Sequence, residues 1–287
     1  MRRLEFLISK VRNSTDNKDT NGISDNEIVE YFRDGQRYIE TLIFKNNPYA
    51  DIFKAQKVYP AVSTGVYDLP SDIYGVNAIS MVEGRFNITP NNDGFSRIKP
   101  IMESEFPYMF GYLIRNGQVL ISGQNNIAQL QDVRVTYFRQ LKTLDIRRGQ
   151  ISTVTATSIS VLNFDSNAPL MDDYYSTCDK DGTQVVAGIY SASTGSPLSV
   201  TSSTGVVGGQ YLLSGKNSTN LCELPDQCEP YLLDYVRQRI YTRNNYDDAN
   251  KQMFFTEQQK QEVIAIFSKN KKDDDTIPVT DISYLLF

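Results

Sequence analysis

The run ISDNEIVEYFRDGQRYIETLIFK, residues 23–45, constrains the fold more than any other part of the chain. Ser24 followed three residues later by Glu27 is capping-box spacing, in which each side chain satisfies a backbone N–H at a helix start. Behind it Ile28, Phe32, Gly35, Ile39 and Leu42 recur at spacings of three and four, with Tyr31, Tyr38 and Ile43 flanking the stripe. The pattern predicts a helix ~30 Å long at ~1.5 Å per residue. Burying its large apolar side chains, at ~1.5–3 kcal/mol each, outweighs a cap worth about 1 kcal/mol. Such a helix needs partners. Asn46-Asn47-Pro48 ends it, because proline disfavours helical geometry in the residue before it.

Candidate partners lie at both ends of the chain. Leu4, Leu7, Ile8 and Val11 predict a short amphipathic helix in MRRLEFLISKVR, which lacks the long apolar core and cleavage site of a signal peptide. In LPDQCEPYLLDYVRQRIYTRNN, Asp226 and Glu229 stand in capping spacing, and Leu232, Leu233, Val236 and Ile240 share one face. A second helix is expected over 247–269, with apolar patches at Ala249, Met253, Phe254 and at Val263, Ile264, Phe267. The polar turns between them, TEQQKQE, bridge solvent or face a channel or a partner. The expectation is that Ile28, Phe32, Ile39 and Leu42 pack against Leu232, Val236 and Ile240.

Between these helices the signals are β. Residues 49–65 read as an extended loop, and GVYDLPSDIYGVNAISMVEG reads as two short strands around a turn. Residues 102–110 allow a helix of one or two turns, limited by Pro107. YLIR-NG-QVLIS, Tyr112 to Ser122, is a β-hairpin, since Asn-Gly accepts the positive φ values of a type I′ turn. Val133, Val135, Tyr137 and Arg139 alternate as a further strand. From about Gln150 to Asn220 the chain turns dense in Ser, Thr and Gly and nearly free of Lys, Arg and Glu. Apolar runs at 150–156, 158–164, 184–190, 197–202 and 206–213 predict a small inserted β subdomain; a flexible Ser/Thr/Gly linker is the alternative.

Several function classes are excluded or weakened. The chain contains no histidine, which removes the usual general base and the commonest metal ligand. Cys178, Cys222 and Cys228 are too few for a disulfide framework and form no CxxC, so three reduced thiols are expected. No run approaches the ~20 apolar residues that span a bilayer. The formal charge is −5, without the basic block typical of a phosphate-gripping protein. The acidic pairs Asp172-Asp173 and Asp247-Asp248 and the triplet Asp273-Asp274-Asp275 are solvated charge before they are a glycosidase pair, because adjacent residues set no carboxyl separation. DKDG at Asp179–Gly182 reads as a turn. No cofactor or metal is expected. The tail, after a mixed charge run and Pro278, ends on Ile282, Tyr284, Leu285, Leu286 and Phe287. Five apolar side chains are costly to leave wet, so they dock on another chain or fold back on their own core.

The order of parts resembles the head-to-tail adaptor proteins of tailed, podovirus-type bacteriophages. The segments that carry the resemblance are Ser24 to Ile39, Tyr67 to Asp72, Leu113 to Ile121, Val133 to Arg139 and Leu224 to Phe267, roughly half of the chain. The Asn-rich, His-free composition also looks like the ring proteins of crAss-like gut phages. The β insert at 150–220 departs from the shorter adaptors. The resemblance implies a structural virion protein without catalysis, assembled in the host cytoplasm. It implies a homo-oligomeric ring of about twelve subunits beneath the portal, with further tail ring or nozzle proteins below. DNA would pass through without specific binding, and the C-terminal residues 282–287 would dock on the portal or a neighbouring subunit. A ring of twelve chains at −5 each carries about −60, which suits a passage that repels phosphates. The rival is a tail-associated binding module whose insert recognises another tail protein or a surface glycan, with Tyr174, Tyr175, Tyr190 and Tyr211 as stacking groups.

The expected fold class is therefore α+β. A helical bundle from the N- and C-terminal helices, with a β-hairpin excursion, occupies 1–149 and 221–271. A small antiparallel β subdomain fills 150–220, and a docking tail covers 272–287.

Overall fold

Ser24 caps its helix as its spacing requires: Oγ accepts from the Glu27 amide at 3.2 Å, and α2 runs Asp25–Asn46. The computed structural model of the chain describes residues 2–15, 22–47, 50–75, 78–86, 94–106, 108–123, 130–165, 172–191, 193, 195–244 and 257–268. Among these, α1 spans Leu4–Ser14, α3 Glu229–Asn244 and α4 Glu257–Ser268.

Among the described residues, fifteen strands in four sheets stand against these four helices. The expectation of a helical bundle carrying a small β insert is overturned: the chain is mostly β. Two reasons are local. Residues 54–60 form strand β1, fully paired with β7, Leu130–Phe138, although only Ala55 and Tyr59 are even half-buried, so no apolar alternation betrays them. The two strands read around Pro70 are not partners. β2, Val66–Asp68, joins the hairpin β5–β6, while β3, Ile79–Phe86, joins β7.

The first sheet has the order β1-β7-β3-β4, with β4 at Ser96–Ile98, and the second β2-β6-β5. Tyr67, Val82, Ile98, Val119, Ile121, Val133 and Val135 close a core between them. β5, Gly111–Arg115, and β6, Gln118–Ser122, turn through Asn116 and Gly117 at φ of 50° and 73°, in the left-handed region the hairpin needs. Residues 103–106 make turns rather than a helix.

The third sheet orders β12-β11-β14-β9-β10-β13. Its strands are β9 Gly149–Thr155, β10 Ser158–Leu162, β11 Tyr174–Cys178, β12 Gln184–Tyr190, β13 Leu198–Ser199 and β14 Tyr211–Ser214. It closes its own core of Ile151, Ile159, Tyr175, Ile189, Leu198 and Leu212. Central β11 had no apolar alternation to announce it: it reads YYSTC, and four of its five residues are buried. The fourth sheet is a short parallel pair, β15 Ser218–Thr219 on β8 Thr143–Leu144, where the chain leaves the insert. Beside it the N-terminus is pinned, Leu4 N donating to Asn220 O at 2.9 Å and Cys222 N to Arg2 O at 3.0 Å.

The helices share a third core with Phe138, Leu141 and Leu144 from the β region. A second side of α2 is occupied by polar grips instead of another helix. Arg33 Nε donates to Leu144 O at 2.7 Å, Gln36 Nε2 to Lys142 O at 2.8 Å, and Leu141 N to Glu40 Oε1 at 3.0 Å.

Candidate functional site

α2 and α3 approach closely because residue 35 is glycine. A Cβ there would stand 2.9 Å from Leu232 Cδ1 and 2.9 Å from Tyr235 Cδ1. The approach stacks Tyr38 on Tyr235, ring centroids 5.9 Å apart at 27°. Arg239, one turn on, lies 5.5 Å from the Tyr235 ring centroid and donates from Nη2 to its hydroxyl at 3.1 Å. α4 closes the other side. Its Val263 is buried, its Phe267 carbonyl accepts from Asn47 Nδ2 at 2.8 Å, and its Glu262 accepts from Tyr231 at 2.9 Å.

The result is an open cleft of about 540 Å³. Tyr38 and Tyr235 form its aromatic floor, Arg37, Lys45, Arg239 and Lys260 surround it, and Asp34 is its one acidic lining residue. Arg37, Thr41 and Lys45 come from consecutive turns of α2, a polar stripe at spacings of four beside the apolar one. That stripe is a sequence signal from which the cleft could have been found, and Lys260, in the polar stretch of α4 expected to bridge solvent or to face a channel or a partner, lies on its rim. The chemistry of a cationic cleft with an aromatic floor suits a carboxylate or phosphate flanked by apolar groups.

Ile28, Phe32, Ile39, Leu232, Val236 and Ile240 are all 0% exposed and lie in one core. Leu42 is half-buried against that core and also lines the cleft. Ile282, Tyr284, Leu285, Leu286 and Phe287 lie outside the described residues, as do Ala249, Met253, Phe254, Asp247-Asp248 and the 273–275 triplet.

A second cluster was missed in the sequence. Asp145 is 0% exposed and meets two buried guanidiniums, Arg33 Nη2 at 2.8 Å and Arg148 Nη2 at 2.7 Å. Its Oδ2 also accepts from Ser214 N at 2.6 Å, and its carbonyl from Asn220 Nδ2 at 3.0 Å. Arg148 reaches on to Asn26 Oδ1 at 2.6 Å. Through its carboxylate and its carbonyl, Asp145 thus ties α2, Arg148 and the end of the insert at Ser214 and Asn220. The two arginines and Asp145 satisfy one another, so the cluster holds structure together instead of exposing a reactive group.

The remaining candidates disperse. Tyr175 is 1% exposed in the insert core and is no stacking platform. Tyr174 and Tyr190 meet edge to face at 5.5 Å, and Tyr211 is covered by Arg147 at 4.4 Å. Asp172 accepts from the Tyr174 and Lys216 amides, and Asp179 from those of Asp181 and Thr183, so these carboxylates fasten turns. Cys178, Cys222 and Cys228 are free and buried, and burial pushes their thiols up to about 12, 11 and 12. Among the described residues no group of three or more Cys, Asp or Glu side chains is placed to hold a metal ion. No helix among them is long and apolar enough to cross a membrane. Neither a protein-family model nor a curated protein sequence matches the chain.

Proposed function

We propose that this chain is a structural virion protein that acts by assembly. It forms a ring beneath the portal of a tailed, podovirus-type phage, joins head to tail and continues the DNA channel. The observation that carries the reading is the ordered set of segments that resembles head-to-tail adaptors: Ser24–Ile39, Tyr67–Asp72, Leu113–Ile121, Val133–Arg139 and Leu224–Phe267. Support comes from the way the first and last of these, some two hundred residues apart, share one hydrophobic core. In this reading about twelve copies make the ring, residues 282–287 dock on the portal or a neighbouring copy, and the net charge of −5 per chain keeps the passage slippery to phosphate.

Native mass spectrometry of the full chain mixed with its portal tests the proposal. Closed multimers on the portal are expected, and monomers alone would sink it. A second reading draws on the insert. Val185 and Tyr190 are 48% and 38% exposed on β12, an edge strand, and so offer a surface to another tail protein. Deleting 150–220 separates the two: rings that still form but no longer take the next tail component assign docking to the insert.

A further inference from the structure

We propose that the loop before β5 of one copy inserts into the cationic cleft of a second copy, a heterologous contact between two unlike surfaces of the same chain. The inference rests on the ring reading for its biological setting and on two independent surfaces for its chemistry.

The first surface is the loop. Met102, Tyr108 and Met109 are 72%, 88% and 52% exposed, and the first two are the most exposed of the large apolar side chains among the described residues. Three such residues within eight positions are more than the single exposed side chains that are ordinary. The loop is held in shape. Glu105 N donates to Met102 O at 3.0 Å, Tyr108 N and Met109 N to Glu105 O at 2.8 and 3.0 Å, and Met102 N to Glu105 Oε2 at 2.9 Å. Gly111 fastens its end, since a Cβ there would stand 2.3 Å from Ile101 Cγ2 and 2.8 Å from Lys99 O. A surface ordered before binding loses little freedom on docking. Glu103, next to Met102 in the chain, has a side chain 70% exposed.

The second surface is the cleft. Four cations and one acid surround two stacked tyrosines; Lys260 is already paired with Glu257 at 3.2 Å, so Arg37 and Lys45 are the cations that carry the argument. Arg37 and Lys45 make no salt bridge among the described residues and are exposed. The match is specific in kind: methionine sulfur and a tyrosine ring meet an aromatic floor, and the Glu103 carboxylate meets Arg37 or Lys45. Its present partner, Arg115 at 2.9 Å, is itself 60% exposed, so exchanging partners costs little. Loop and cleft belong to different cores, and under the ring reading their contact runs head to tail from copy to copy instead of reciprocally about a two-fold axis. Each copy gives one surface and receives one, the arrangement that produces rings when the rotation closes and filaments when it does not.

Crosslinking of the full chain decides the matter. Because all three native thiols are buried and protonated at neutral pH, single introduced cysteines can be read alone. A Met102→Cys protein mixed with a Thr41→Cys protein under a mild disulfide-forming oxidant should give heterodimer about tenfold above either protein alone, as expected for a pair held at high effective concentration. Adding Lys45→Glu to the Thr41→Cys chain should lower the yield about fivefold, and Glu103→Lys on its partner should restore it. Absence of heterodimer, or a yield indifferent to both reversals, overturns the inference. So does crosslinking of Thr41→Cys to Asp274→Cys within one chain, which would give the cleft to the protein's own acidic triplet. Rings on the portal without the crosslink would leave the ring reading standing and remove this contact. The crosslink with open filaments alone would do the reverse.

Discussion

The helical side of the molecule and the inserted sheet solve the same problem with different chemistry. Around α2, polar groups are buried as charge: Asp145, Arg33 and Arg148 are each at most 4% exposed, and Glu40, two turns after Arg33 on α2, is buried as well. In the insert, polar groups are buried as hydroxyls. Ser176, Thr177, Ser214 and Ser218 are 0% exposed, and Ser176 Oγ donates to Gly215 O at 2.8 Å while accepting from Ser218 N at 3.2 Å. A neutral hydroxyl gives and receives within a strand turn, so the insert needs little from outside. A buried carboxylate demands cations, and here they come from residues over a hundred positions apart. The insert is therefore a unit with its own core, and the charged cluster is what fastens it to the rest.

The largest effect should come from breaking that fastening. Asp145→Ala leaves two buried guanidiniums without their shared carboxylate, a loss of about 3–5 kcal/mol. Chemical denaturation should show both regions weakened together. If only the insert loosens, the cluster serves the insert alone. Next, Leu212→Ala in the insert core should cost about 2–5 kcal/mol. Hydrogen exchange should rise across β9–β14 while the amides of α2 keep their protection, and equal loss in both would deny the insert its independence. Smaller again is Gly35→Ala. The added methyl presses on Leu232 and Tyr235, an overpacking cost of about 1–3 kcal/mol offset by about 1 kcal/mol of helix propensity. Thermal melting should show net destabilisation, with the Tyr38–Tyr235 stack perturbed. The same substitution at Gly195, whose Cβ direction is open, should change stability little.

The two regions were also unequally legible. α2 could be read because one side chain every third or fourth position is apolar and Ser24 stands at the cap; the hairpin could be read because Asn116-Gly117 admits one turn geometry. These are local signals. The insert was legible as β only through its turn punctuation, and β11 escaped because a strand buried on both faces carries no alternation. β1 escaped for the opposite reason, being exposed on both. The cluster at Asp145 was illegible because nothing in LDIRRG marks that aspartate apart from a surface one; its burial depends on Arg33 and Asn220 arriving from elsewhere. The bundle expectation failed for a related reason. Periodicity gives the apolar stripe of α2 but not the second side, where Arg33, Gln36 and Glu40 meet backbone groups of 141–145 instead of another helix.

The mildest test lies on that second side. Burial pushes the Glu40 carboxyl above its ordinary value of 4.5, against the Leu141 amide and the positive charges of Arg37 and Arg139, with nearby Glu223 adding to the rise. The folded chain therefore binds this proton more tightly than the unfolded chain does. The stabilisation is fully present below the ordinary carboxylate range and is lost as pH rises through the elevated folded value. Glu40→Gln keeps the acceptor for Leu141 N and cannot titrate. The stability of the native chain relative to that variant should fall as pH is raised from about 4 and level off once Glu40 is ionised in both states. Denaturation at a series of pH values measures the difference. A difference that stays flat or grows with pH would mean that the polar grips on α2 hold Glu40 as a comfortable anion, and that the helical side tolerates buried charge more easily than the comparison with the insert implies.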